Sequence, residues 1–182
     1  MPHAPPSTEL RTGANAVPIV LGIDPGMRSC GWGIVRGEGR PVFQDCGAIK
    51  PRPKERFEQR LLVIHEEITR LIATYSPTEV AIEDPFVGAL QPAAALAIGQ
   101  ARAAAMLAAA AAGLEVQLYA PAAVKAAVSG YGAGDKRQVQ AMVRMLLSLE
   151  EPPEPLDAAD ALAVAICHLS SRRMRALEAG SR

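Results

Sequence analysis

Neither sign of charge is in excess in this chain of 182 residues: 19 basic side chains stand against 19 acidic ones, a formal net charge of +0. The balance lacks the overall basicity that marks many nucleic-acid binders, although neutrality can hide separate patches, and a carboxylate site would offset a basic rim. Cysteine is scarce. Cys30, Cys46 and Cys167 are odd in number and widely spaced, with no CxxC pair, which argues against a structural zinc site and for reduced thiols in a cytosolic protein. No apolar signal-like segment is visible near the start, where Pro2, Pro5 and Pro6 sit among polar residues. Residues 1–17 are therefore expected to form a disordered extension. The most apolar helix candidate, Ala93 to Leu114, is mostly alanine and is broken by Gly99, Gln100 and Arg102, too weak a run for a membrane span. Internal repeats are absent.

What is present is an ordinary globular composition, 49% hydrophobic and 21% charged, long enough for one domain with a sizeable core. The β-branched run Ile19 to Ile23 reads as a buried strand that ends at Asp24 and turns at Pro25-Gly26. Gly31 to Val35 and Val42 to Ile49 read as two more strands, and such short links require antiparallel pairing. Lys50, Arg52, Lys54 and Arg56 make the next loop basic. Phe57, Leu61, Ile64, Ile68, Leu71 and Tyr75 form one apolar helical stripe that ends at Ser76-Pro77. Glu79 to Glu83 is a fourth strand, and the alanine-rich helix then leads to a fifth, Glu115 to Tyr119. A short helix from Pro121 to Val128, a glycine loop, a helix from Lys136 to Leu149 with Asp135 as N-cap, and a last helix from Leu156 to about Leu177 complete the chain. This order predicts an α/β protein: a mixed sheet of five strands, the first three antiparallel, with helices on both faces.

Four carboxylates stand out. Asp24 and Glu83 each end a strand, and Asp157 and Asp160 share a face of the last helix at i, i+3. Any one of them is accounted for as a turn or cap residue; their joint order on strand, strand and helix is not. Like charges about 5 Å apart repel by roughly 3 kcal/mol at an effective dielectric near 20, so such a cluster should protonate or bind a cation. All-oxygen ligands suit Mg²⁺ or Mn²⁺, and a pair of such ions is a usual apparatus for in-line attack on a phosphodiester.

The motifs Leu-Gly-Ile-Asp-Pro-Gly (21–26), Gly-Trp-Gly (31–33), Ala-Ile-Glu (81–83), Gly-Gln-Ala-Arg (99–102), Asp-Lys-Arg-Gln-Val-Gln (135–140), Met-Val-Arg-x-Leu-Leu (142–147) and Asp-Ala-Ala-Asp-Ala-Leu-Ala (157–163) resemble those of the RuvC family of Holliday-junction resolvases. The resemblance covers about Pro18 to Leu169. It implies an RNase H-like nuclease domain over 18–169, with the end of the last helix and a tail in 170–182. It implies a cytoplasmic homodimer that nicks opposed strands of four-way junction DNA with two Mg²⁺ or Mn²⁺ ions, in recombination and repair. It also implies work with the branch-migration motor, RuvA and RuvB. By position, Asp24, Glu83, Asp157 and Asp160 would be the catalytic metal ligands. Phe86 would be an exposed wedge stacking on a base near the crossover, with Lys125 and Lys136 on phosphates. Arg137 and Arg102 are further candidates for DNA contact, and the basic loop is a weaker one.

Three other readings share some of these features. An actin-like ATPase also begins with an Asp-Pro-Gly hairpin, but needs a second phosphate loop and about twice this length. The loop at 129–134 lacks the Gly-Lys-Ser/Thr of a nucleotide P-loop. An RNase H-like nuclease acting on structured RNA, and a catalytically inert junction-binding module, would share the fold. His168 follows Asp157 by eleven residues, about 16 Å along a helix, too far to join the carboxylates. For the wedge, Phe86→Ala is expected to bind junctions yet cut them roughly 5- to 150-fold more slowly, the kinetic equivalent of about 1–3 kcal/mol of lost base stacking. Single-turnover cleavage beside a binding titration checks it, and unchanged cleavage would return Phe86 to the core.

Overall fold

The computed structural model describes residues 17–38, 40–84, 91–129 and 136–180. Phe86, most of the glycine loop and Asp135 lie outside that set, as does nearly all of the N-terminal extension. The described strands are β1 (Ile19–Asp24), β2 (Cys30–Arg36), β3 (Val42–Ile49), β4 (Glu79–Glu83) and β5 (Val116–Tyr119). They form one sheet in the order β3-β2-β1-β4-β5. The first three pair antiparallel, and β4 pairs parallel with both β1 and β5. Short turns join the antiparallel strands. The parallel ones are reached through helical crossovers, α1 (Phe57–Tyr75) and α2 (Pro92–Ala111). Helices α3 (Pro121–Ser129), α4 (Lys136–Leu147) and α5 (Leu156–Gly180) follow.

Alternation along the strands divides the interior into two cores. Leu21, Ile23, Ile34, Val80 and Ile82 face α1 and α2, where they meet Ile64, Ile68, Leu71 and the alanines 101, 104, 105, 108 and 109. Val20, Val35 and Ala81 face the other way, onto α3, α4 and α5. Of the helical stripe foreseen in α1, Ile64, Ile68 and Leu71 are buried and Leu61 and Tyr75 pack partly against the same core, but Phe57 is left exposed at the helix start. Helix α2 is long and apolar enough to cross a membrane by length and composition, with a mean hydropathy of 1.4; here its alanine face packs against α1 and the sheet.

Two helices stop earlier than their periodicity suggests, and for one reason. Gly113 takes φ +72°, and the amides of Gly113 and Leu114 turn back to the carbonyls of Ala110 and Ala109, so α2 ends at Ala111 rather than Leu114. Ser148 does the same at φ +55°, and the Leu149 amide bonds the Arg144 carbonyl, closing α4 at Leu147 rather than Leu149.

Helix α5 lies against bare backbone. A Cβ placed on Gly22 of β1 would come within 2.8 Å of the Ala165 nitrogen and nearer still to the Ala161 carbonyl oxygen. On Gly33 it would meet Leu162 Cδ2 at 2.7 Å, and on Gly31 it would run into the Asp157 carbonyl group. Polar contacts fix the middle of the helix. His168 is 1% exposed, with Nε2 2.5 Å from Glu79 Oε2 of β4 and Nδ1 3.0 Å from the Tyr119 hydroxyl of β5. Arg172 Nη1 donates to the other Glu79 oxygen at 2.5 Å. A carboxylate only accepts, so Nε2 donates to it, and in the neutral ring Nδ1 accepts from Tyr119. Burial raises the Tyr119 phenol above its ordinary value, which keeps it a proton donor at neutral pH.

Gly22→Ala is therefore expected to destabilise the fold by about 2–3 kcal/mol, since the atoms in the way are main-chain atoms that no rotamer change can move. Urea denaturation would show the lower midpoint. A midpoint equal to wild type would mean that α5 sits farther from β1 than described.

Candidate metal centre

The C-terminal end of β1 is where the chemistry converges. Asp24 shares its strand face with Val20 and Gly22, so its side chain leaves the sheet on the α5 side. The first turn of α5 stands directly over it, because Gly31, the β2 residue paired with Asp24, leaves room for the Asp157 main chain. One oxygen from each of Asp24, Asp157 and Asp160 lies within 4.8 Å of the other two, and all three residues are half-buried. That spread matches a coordination sphere whose oxygens stand ~2–2.6 Å from a hard cation. The donor set contains no nitrogen or sulfur, which favours Mg²⁺ or Mn²⁺ over zinc or copper. The residues present thus fit a divalent ion.

Glu83 stands beside this cluster without being one of the three converging groups. Its strand position follows Ile82, the partner of Ile23 in the parallel β1–β4 ladder, so its backbone is next to that of Asp24. Its face is settled by its neighbours: Ala81 packs into the α5-side core and Glu79 reaches His168 on α5. Glu83, two residues on, points to the same side. Asp84 goes the other way. It forms an ion pair with Arg102 of α2, on the opposite face of the sheet, while its own amide extends the ladder by donating to the Tyr119 carbonyl at 2.8 Å.

Cys30, at the start of β2, is fully buried near the carboxylates. Burial pushes its thiol up to about 12; a hydrogen bond with the Gly26 backbone opposes it, and the charges of Asp24 and Asp157 add smaller upward pushes. Its side chain belongs to the core under α1 and α2, on the other face of the sheet from the converging carboxylates, and is not one of the grouped donors.

The candidate DNA-contacting residues are spread more widely. Lys125 is half-buried on α3, and Arg137 is exposed on the first turn of α4 beside Lys136, which opens that helix. Arg102 is engaged by Asp84. In the basic loop, Arg52 pairs with Glu55 at 3.9 Å and Arg56 pairs with Glu58. His168 lies in the buried network at the far end of β4, away from the carboxylates, as its spacing requires. Sequence reasoning missed Arg60. This α1 residue donates from Nη2 to the Met27 carbonyl in the turn after Asp24, and no motif or spacing flags an arginine on an amphipathic helix.

Known proteins resemble this chain along nearly its whole length. The family model described as crossover junction endodeoxyribonuclease RuvC matches residues 20–168. The protein of that name from Rhodopseudomonas palustris (strain BisA53) is 48% identical over 154 residues, 84% of this chain and 87% of its own. The one from Rubrobacter xylanophilus is 47% identical over 165 residues, 90% and 92% of the two chains. The structure of T. thermophilus RuvC in complex with Holliday junction substrate superposes with a TM-score of 0.82 at 36% identity, covering 87% of this chain and 96% of that one. The yeast mitochondrial Holliday junction resolvase Ydc2, at a TM-score of 0.60 and 14% identity, shares the fold alone. The matched stretch contains β1, β4 and the first turns of α5, and with them every carboxylate of the site: the chain belongs to the RuvC family of crossover junction endodeoxyribonucleases.

Proposed function

We propose that this chain resolves four-way DNA junctions by metal-dependent nicking of opposed strands, with Asp24, Glu83, Asp157 and Asp160 as the ligands of two Mg²⁺ or Mn²⁺ ions. The observation that carries the reading is the convergence of three carboxylates, one oxygen from each within 4.8 Å of the others, inside the stretch that the family model matches. The similar T. thermophilus protein is described with a Holliday junction as substrate, which supports the same substrate here over a structured RNA.

Asp157 and Asp160 present two carboxylates one helical turn apart, and Asp24 meets them from the sheet. Glu83, on the same sheet face and the neighbouring strand, would be the fourth ligand. When bound, the ions supply an activated water and charge stabilisation for the leaving 3′-oxygen of the phosphodiester. The chain's own part is to hold the acidic groups together despite their repulsion and to place the scissile phosphate beside them. Lys125, Lys136 and Arg137 would contact phosphates and Phe86 would stack on a base. Arg102 would have to leave Asp84 before it could touch DNA.

In this reading residues 18–169 form one RNase H-like nuclease unit, and α5 continues past it. Two copies would pair through α1 and α2, whose Leu62, Leu96 and Leu107 are exposed to 45%, 64% and 64%, so that two sites face opposed strands. RuvA and RuvB would bring the junction, in the cytoplasm.

Asp24→Asn is expected to abolish cutting while leaving junction binding intact, because the carboxylate holds metal rather than DNA. Gel-shift and cleavage assays on a synthetic four-way junction, with and without Mg²⁺ or Mn²⁺, check both halves. A variant that still nicks at near wild-type rate would return the carboxylates to an inert binding module. Glu83→Gln should lose nearly all activity while Asp84→Asn keeps most of it, since the two side chains leave the strand on opposite faces. Equal loss in side-by-side cleavage assays would contradict the strand register.

A further inference from the structure

We infer that Arg60 is a positioning residue for Asp24, acting through the turn that links β1 to β2; the inference rests on the reading of Asp24 as a metal ligand. The turn Pro25–Ser29 is tied down at two points beyond its strand ends. The Met27 side chain is 7% exposed and belongs to the core under α1. The Met27 carbonyl accepts from Nη2 of Arg60, a residue near the start of α1. That carbonyl lies three residues past Asp24, and Pro25 between them has its φ fixed. Gly26 is folded so tightly that a Cβ there would stand 3.4 Å from the Ser29 carbonyl carbon and closer still to its oxygen. With Met27 anchored, only a few torsions remain by which Asp24 could drift from α5.

A second observation marks the same spot. Among the described residues, two buried side-chain polar atoms have no hydrogen-bond partner, Arg60 Nε and Ser29 Oγ, and both belong to this junction of turn and helix. A buried donor without a partner is destabilising. Leucine would serve a helix that had only to pack. Arginine at this position, with one arm on Met27 and its Nε orphaned, is costly as packing and is explained by what the bonded arm holds. The guanidinium is always charged, and a charge-assisted bond to a carbonyl is among the stronger that a loop can receive.

The test is calorimetric titration of the DNA-free protein with Mn²⁺, beside thermal midpoints, for wild type, Arg60→Ala, Arg60→Lys, Asp24→Asn and Ile64→Val. Ile64→Val removes a methylene from the buried face of α1, one helical turn beyond Arg60, without touching the Arg60–Met27 hydrogen bond, and reports what lost stability alone does. Arg60→Ala is expected to weaken Mn²⁺ binding about tenfold, the factor that one lost charge-assisted hydrogen bond readily carries, and Arg60→Lys to recover a large part of it. Ile64→Val should lower the midpoint and leave Mn²⁺ affinity unchanged. Wild-type affinity in both Arg60 variants, or an equal loss in Ile64→Val, would overturn the positioning role. Should Arg60→Ala fail to fold, Arg60→Lys decides alone: its single ammonium should weaken Mn²⁺ binding measurably, and unaltered affinity overturns the inference. A wild type that binds no Mn²⁺, or binds it no better than Asp24→Asn, sinks the metal reading instead.

Discussion

Helix α5 can reach the sheet only because Gly22, Gly31 and Gly33 give it no side chain to rest on. These glycines lie on the α5 face of the β1–β2 hairpin, and the helix meets them largely with main-chain atoms and small side chains, among them Ala161, Ala165 and the Asp157 carbonyl. An ordinary helix–sheet layer is held off by interdigitating side chains. Here the layer closes down, and Asp157 and Asp160 come within ligand distance of Asp24. Asp, Glu and a pair of helical Asp residues at normal layer spacing would be a scattered set of surface acids.

The glycines set how near the helix lies; the other end of β4 sets where it stands along its axis. Glu79 binds His168 and Arg172 of α5 with its two oxygens, and four residues later the same strand brings Glu83 beside the converging carboxylates. A slip of α5 by one turn would break the Glu79–Arg172 ion pair and leave the buried His168 without partners, which a protein interior tolerates poorly. One short strand therefore carries the pin of the helix at one end and a proposed metal ligand at the other. Parity along it explains why Asp84 is tied to α2 through Arg102 instead.

Much of this was legible in the residues. The stripe of α1 from Leu61 to Tyr75, the antiparallel opening, the i, i+3 pair on α5 and the ends of β1 and β4 follow from periods of 3.6 and 2 and from turn chemistry, and the structure has them where expected; Phe57, at the first position of the stripe, is exposed instead. The helix ends at Ala111 and Leu147 were readable in principle, since Gly113 is a strong stop signal, but periodicity outran it and Ser148 carries no such signal. What could not be read was contact between distant segments. Alternate glycines at 31 and 33 signal an open strand face without saying which helix fills it. His168 and Glu79 are 89 positions apart, and neither announces the other. Arg60 is one of several arginines beside α1, and only three-dimensional placement separates it from its solvated neighbours Arg56 and Arg70.

The carboxylates that converge come from the first strand and the last helix, 133 positions apart in the chain (157 − 24). Local contacts form quickly during folding, while those that must close a long loop come late. The β1–β2–β3 meander can be complete while the chain is still being synthesised, N-terminal segments first, and at that stage Asp24 has no partner carboxylates. On the proposed assignment of these carboxylates, nuclease competence arrives only when α5 docks onto the exposed glycines. A nascent, truncated or stalled chain would then carry the fold's most recognisable motif but not the means to cut, and the topology itself would withhold a DNA-cleaving activity from every unfinished copy.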